Sequence, residues 1–129
     1  NQNNVNLKIL NNVDNESLLD IIKNYKYFVS TSSFEGNPKS LLEALSSGCV
    51  VIATDIENHK EIIKDSNYGM LYSKQNNELP KIIDSLGKNK ANEMLISENA
   101  YRIVNDIFSI KKIVSDEILD YQNLLIDDK

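Results

Sequence analysis

Apolar positions along this chain recur at two periods, and their switching sets out a series of elements. Val5, Leu7 and Ile9 alternate with polar neighbours, which predicts a strand over 5–10. Leu18, Leu19, Ile21, Ile22 and Tyr25 then recur at helical spacing, behind Asp14 or Asn15 as the N-cap. Tyr27, Phe28 and Val29 form a short apolar run that ends in four hydroxyl residues, 30–33. This reads as a buried strand entering a loop. A second helix is predicted over 38–47, opened by Pro38 and stopped by Gly48. The run 49–53 is β-branched, continuously apolar and short, as strands buried on both faces are. A short helix over 59–64 and a last strand over 68–72 follow. Helices are then predicted over about 77–86, 91–105 and 109–125. Ser109 would cap the last of these, with an incomplete apolar stripe of Ile113, Ile118, Leu119, Tyr121 and Leu125.

Strands that alternate with helices imply βαβ units. The expected class is α/β, a parallel sheet with helices on both faces, ending in C-terminal helices. In such sheets ligands bind beyond the carboxyl ends of the strands. That rule selects two loops, 30–37 and 54–58. Only four strands are predicted, fewer than most doubly wound domains have. The chain also opens on a polar Asn/Gln run, without an initiator Met or a signal-type segment. Residues 1–129 are therefore expected to be a single, truncated domain.

Composition narrows the function. Hydrophobic residues make up 41% of the 129, enough for a core. No apolar run approaches the roughly 18 residues of a membrane span. The net charge is −5 and Arg102 is the single arginine, which argues against nucleic-acid binding. The lone Cys49 excludes an internal disulfide and fits a reducing compartment. His59 has no Cys or His neighbour at metal-ligand spacing, so no metal site is expected.

The candidate chemistry lies in 33–44. Gly36 permits a tight turn or the close approach of a ligand. Asn37 is a suitable N-cap and Pro38 a suitable first helical residue, which would leave the N–H groups of Lys39 and Ser40 free at the helix start. Free donors and the helix dipole together make an anion site. Glu35 lies in the loop and Glu43 within the helix, so two carboxylates would flank that site. Carboxylates accept hydrogen bonds, which suits hydroxyl-bearing ligands such as sugar and ribose. Periodicity alone, however, makes Glu43 a solvated residue.

The string SSFEGNPKSLLEALSSGCVVIATD resembles the signature of the group 1 glycosyltransferases (glycosyltransferase family 4) over about 25 residues. Glu35 and Glu43 stand where that family carries its E-x7-E pair. The resemblance implies a Rossmann-like domain, the C-terminal half of a GT-B fold. It implies a retaining enzyme that moves a sugar from a nucleotide diphosphate donor, with UDP the commonest nucleotide. By position, Glu35 would be the catalytic carboxylate at the transferred sugar. Gly36, Asn37, Pro38, Lys39 and Ser40 would hold the diphosphate, and Glu43 the ribose. No cofactor or metal is implied, because such chemistry relies on fixed dipoles and cations. The implied partners are a nucleotide sugar and an N-terminal acceptor domain, with peripheral membrane association through that domain and no nucleic acid. The implied setting is bacterial polysaccharide or glycolipid synthesis in the cytoplasm, at the inner face of the membrane.

The sequence also departs from the pattern. Many relatives follow the apolar strand with Asp-x-Gly-Gly-x-x-Glu, whereas Glu57 and Asn58 occupy the glycine positions here. The family's diphosphate-neutralising basic residues have no counterpart in the chain. A helix N-terminus contributes about 0.3–2 kcal/mol, and carboxylate–ribose bonds about 1.5–3 kcal/mol. Millimolar affinity needs about 4 kcal/mol. The chain alone is thus expected to bind nucleotide weakly and to catalyse nothing. A non-catalytic nucleotide-sugar binding domain and another GT-B enzyme such as an epimerase remain open. Elsewhere, Cys49 is expected in the core, and His59 at the surface or capping a helix, with donor contact as the alternative. Lys39 is divided between phosphate contact and solvent. Lys60 and Lys64 form a solvated face, Tyr68 and Tyr72 pack, and Ser32 and Ser33 finish the strand end.

Overall fold

The computed structural model describes residues 6–107, together with 114, 118 and 119. The elements are α1 (Asn15–Ile22), β1 (Tyr27–Ser30), α2 (Lys39–Ser46), β2 (Val50–Thr54), α3 (Glu57–Ile62), β3 (Met70–Tyr72), a 3-10 turn (Lys74–Asn76), α4 (Glu78–Lys88) and α5 (Lys90–Ile107). The three strands form one parallel sheet in the order β1-β2-β3. Tyr27 faces Val50 across the first pair, and Ile52 faces Met70 across the second.

Every residue of β2 is buried, as its unbroken apolar run requires of a central strand. Its side chains alternate between two cores. Val51 and Ala53 join Ile22, Leu41, Ala44, Leu45, Ile62 and Ile63 on the face covered by α1, α2 and α3. Val50 and Ile52 join Tyr72, Leu86 and Ile96 on the other face, under α4. α5 reaches both cores, through Ala100 and Ile96 respectively. Each fully buried aliphatic side chain contributes about 1.5–3 kcal/mol. The α/β class with helices on both faces is thus as expected.

The helix ends follow their sequence signals. Asp14 caps α1, accepting from the Ser17 N–H at 2.9 Å. Gly48, with φ +77°, ends α2: its N–H donates to Leu45 O and the Cys49 N–H to Ala44 O, a Schellman closure. Cys49 is buried, as expected, and its thiol donates to Tyr25 O at 3.3 Å. Tyr68 and Tyr72 are buried as expected, and the Tyr68 hydroxyl closes the turn before β3 by donating to Ile62 O.

Two expectations are corrected, and a third falls largely outside the described residues. Residues 6–10 form no strand: they are exposed, Leu7 at 78% and Ile9 at 74%. Alternation specifies a strand only where a partner pairs with it, and no described strand pairs with them. The sheet therefore has three described strands instead of four. His59 is buried, with 1% exposure, and is not a surface residue. α3 begins at Glu57, two residues earlier than expected, which places His59, Ile62 and Ile63 on one inward face. The predicted helix over 109–125 falls largely outside the described residues, including Ser109, Ile113, Tyr121 and Leu125.

One buried carboxylate was not anticipated. Glu93, on α5, is 1% exposed and accepts from the Tyr27 hydroxyl at the start of β1. The ammonium groups of Lys26 and Lys90 flank it. Hydrogen bonds from Lys26 and Tyr27 hold its carboxyl below the ordinary glutamate value. Burial, with the bond to Glu93, pushes the Tyr27 phenol up.

Candidate functional site

The segment after β1 carries the candidate residues, and side chains from four later positions tie it down. The Tyr72 hydroxyl donates to Ser30 O at 3.4 Å, and Thr54 Oγ1 to Ser32 O at 2.5 Å. Lys74 Nζ donates to Ser33 Oγ at 2.8 Å, and Asn58 Nδ2 to Gly36 O at 2.9 Å. Thr54 ends β2, Asn58 lies in the first turn of α3, and Tyr72 ends β3. The parallel register thus brings three successive element ends against one loop, the arrangement that makes strand carboxyl ends the place where α/β sheets build sites. His59 completes this support from beneath. Its Nδ1 lies 2.8 Å from Thr54 O, so Nδ1 carries the proton and donates to that carbonyl.

Within the loop, Glu35 is half-buried and its Oε1 accepts from Ser32 Oγ at 2.5 Å. One carboxylate oxygen is thereby fixed. Among the described residues no hydrogen-bond donor engages the other, which can accept from an incoming hydroxyl. Glu43 differs from the periodicity expectation. Its side chain is only 13% exposed, and its Oε1 lies 3.5 Å from Lys39 Nζ. Lys39 also donates to Asn15 Oδ1 at 3.3 Å, so its ammonium leans along the start of α1 and α2. A helical wheel carries no information on neighbouring elements, and α2 packs against α1, β1, β2 and α5.

The start of α2 also differs. Asn37 makes no capping bond and Pro38 precedes the helix instead of opening it. Pro38 has φ −78° and ψ 59°, and the Lys39 N–H donates to Asn37 O at 2.8 Å: an inverse γ-turn. The Lys39 N–H is therefore occupied and not free. The N–H groups of Gly36, Asn37 and Ser40 find no protein acceptor among the described residues. Over 36–40 the open donors are thus two loop amides and one helix amide, in place of the two helix amides expected, and the Phe34 and Glu35 N–H groups likewise find no acceptor among the described residues. A Cβ at Gly36 would meet nothing within 4 Å.

Two recesses adjoin this loop. One, of about 390 Å³, lies between Ser33, Phe34, Glu35 and the start of α3 at Ile56, Glu57 and Asn58. Phe34 stands 86% exposed at its rim. The other, of about 230 Å³, lies between Ser32, Ser33, Thr54, Ser73 and Lys74. A larger recess of about 620 Å³ runs along α5 beside Gly48, at the amino end of β2. Glu35 lines the first strand-end recess and Lys74 the second, while the open amides of Gly36, Asn37 and Ser40 lie next along the chain and line neither. Lys60 bridges Asp55 and Glu57 at 2.9 and 3.2 Å and so ties up the other carboxylates near the loop; its ammonium is held above its ordinary value by Asp55 first, then Glu57. Lys60 and Lys64 are exposed, as expected of a solvated face, and Lys60 adds these surface ion pairs. Sequence reasoning missed the roles of Thr54, Asn58 and Lys74 as ties to the loop; the position of Thr54 and Asn58 in the second strand-end loop was the available signal.

The structural class is an α/β domain with an anion-compatible loop at the carboxyl ends of parallel strands. The profile of the family described as "Glycosyl transferases group 1" matches residues 1–103, and the chain belongs to that family. The chain is 37% identical, over 68 residues, to the capsular polysaccharide biosynthesis glycosyltransferase CapH of Staphylococcus aureus, a match that covers 50% of this chain and 19% of CapH. It is also similar to the crystal structure of the C-terminal domain of the glycosyl transferase group 1 family protein LpcC from Francisella tularensis. There the TM-score is 0.70 at 28% identity, over 79% of this chain and 53% of that one. The chain thus spans about a fifth of the curated relative and about half of the solved chain. Among the described residues, no helix is long and apolar enough to cross a membrane, and no three His, Cys, Asp or Glu side chains gather as a metal-holding group.

Proposed function

We propose that this chain is the donor-binding part of a retaining glycosyltransferase, one that moves a sugar from a nucleoside diphosphate to an acceptor in polysaccharide or glycolipid synthesis. The observation that carries this reading is the loop 33–40. Its amides at Gly36, Asn37 and Ser40 are open, while Glu35 and Glu43 flank them from the loop and the helix. Membership of the group 1 family and the likeness to CapH, named for capsular polysaccharide biosynthesis, support the same activity.

In this mechanism the open amides receive the diphosphate and stabilise the charge that grows as it leaves. Pro38 shapes the turn that presents them, and Lys39, beside Glu43, adds a cation at the helix start. Glu43 accepts from the ribose hydroxyls. Glu35, with one oxygen fixed by Ser32, accepts from the sugar and faces the positive charge that develops at its anomeric carbon. UDP is the proposed nucleotide, no metal is required, and the acceptor is held by a second domain. The site works in the cytoplasm, at the inner face of the membrane. With a net charge of −5, the 129 residues alone bind the donor weakly and do not turn it over.

The test uses the full-length protein carrying both domains. Glu35→Ala is expected to lower UDP-sugar hydrolysis by about 10²-fold or more. Glu43→Ala is expected to weaken UDP binding by about 1.5–3 kcal/mol. Wild-type behaviour of both variants contradicts the assignment.

A further inference from the structure

We propose that Asn58 is a positioning residue for the donor diphosphate, holding the peptide between Gly36 and Asn37 with its N–H turned toward the anion. This inference rests on the donor-site reading above. The Asn58 side-chain amide donates to Gly36 O at 2.9 Å across 22 residues of sequence, joining the first turn of α3 to the loop after β1. A trans peptide sets its carbonyl and its N–H on opposite sides. Drawing the Gly36 carbonyl to Asn58 therefore points the Asn37 N–H away from α3, and no described protein group accepts from it.

Among the described residues no other group bonds this peptide. A Cβ at Gly36 would meet nothing within 4 Å, so packing does not restrain it. Glycine turns freely about its own backbone, and asparagine is among the residues that tolerate positive φ. Without the amide tie, Gly36 leaves one side of the 36–37 peptide unrestrained, and only the pre-proline position of Asn37 still opposes its turning over. Once turned, its carbonyl would stand where its N–H had been, and a donor for the anion would become a repulsive oxygen. The pattern that this sequence resembles has glycine at position 58, which could not form this side-chain tie. The other three ties end at Ser30, Ser32 and Ser33 and leave the 36–37 peptide to Asn58 alone.

The test titrates the 129-residue chain, as wild type, Asn58→Leu and Asn58→Ala, with UDP, GDP and ADP and with the matching nucleosides, following binding by NMR alongside melting temperature. The expected result is a loss of diphosphate affinity of about 2- to 12-fold in both variants, the worth of one hydrogen bond. Nucleoside affinity is expected to stay unchanged, because only the phosphates meet the peptide. Equal losses for nucleoside and diphosphate would mean that Asn58 merely supports the fold, and would overturn the proposal. Unchanged diphosphate affinity in a wild type that binds would overturn the proposal and leave the donor-site reading standing. A wild type that binds none of the three diphosphates removes that reading, and the proposal with it.

Discussion

Gly36 has room for a side chain and lacks one. Neither crowding nor a positive φ requires glycine there, since a Cβ would meet nothing within 4 Å and the positive-φ glycine is Gly48. On the donor-site proposal, a ligand that approaches the backbone would supply the reason. Gly36→Ala is therefore expected to keep the melting temperature of the wild type and to weaken nucleoside diphosphate binding by about tenfold, about 1.4 kcal/mol. A melting curve and a titration on the same sample check both halves. Gly48 is the contrast. Its φ of +77° closes α2, and Ser97 Oγ donates to its carbonyl at 2.5 Å, so its glycine serves the fold. Glu35 and Glu43 were marked as candidates by the resemblance of 33–44 to the family signature, where periodicity alone left Glu43 a solvated residue. The low exposure of Glu43 was not legible, because a helical wheel does not carry the packing of neighbouring elements.

Among the elements, β2 was the most legible, since a short, unbroken apolar run has no stable place other than a central strand. The run at 5–10 has the other strand pattern and forms none over 6–10, because period alone does not supply a pairing edge. The tie between α5 and β1 was invisible for a similar reason. Glu93 is 66 residues from Tyr27, and nothing local marks it as a carboxylate that will be buried. Its pKa is lowered, first by the bond from Lys26 and then by that from Tyr27. Such a group stabilises the fold fully above its unfolded-state value, about 4.3. The contribution is lost as pH falls through the lower folded-state value. Stability to urea should thus decline on acidification below about pH 4.3. Glu93→Gln should flatten that acid limb and lower stability at neutral pH by about 1–3 kcal/mol. An acid limb of unchanged slope in the variant would place the titrating group elsewhere.

At the scale of the whole molecule, the sheet, its two cores and the strand-end loops make one frame, and family membership agrees with what the loop 33–44 resembles. The frame also offers a larger recess beside Gly48 and α5, at the opposite end of β2, with Arg102 in its wall. A donor site at the strand ends and a ligand in that recess are separable, because they engage different amides. The central claim is that the loop after β1 receives the diphosphate. Its most direct test is an NMR titration of the chain with UDP into the millimolar range, following every backbone amide. The account predicts the largest shifts at Gly36, Asn37 and Ser40, with Gly48 and Ser97 unmoved. Shifts centred on Gly48, Ser97 and Arg102, with the 36–40 amides still, would contradict it.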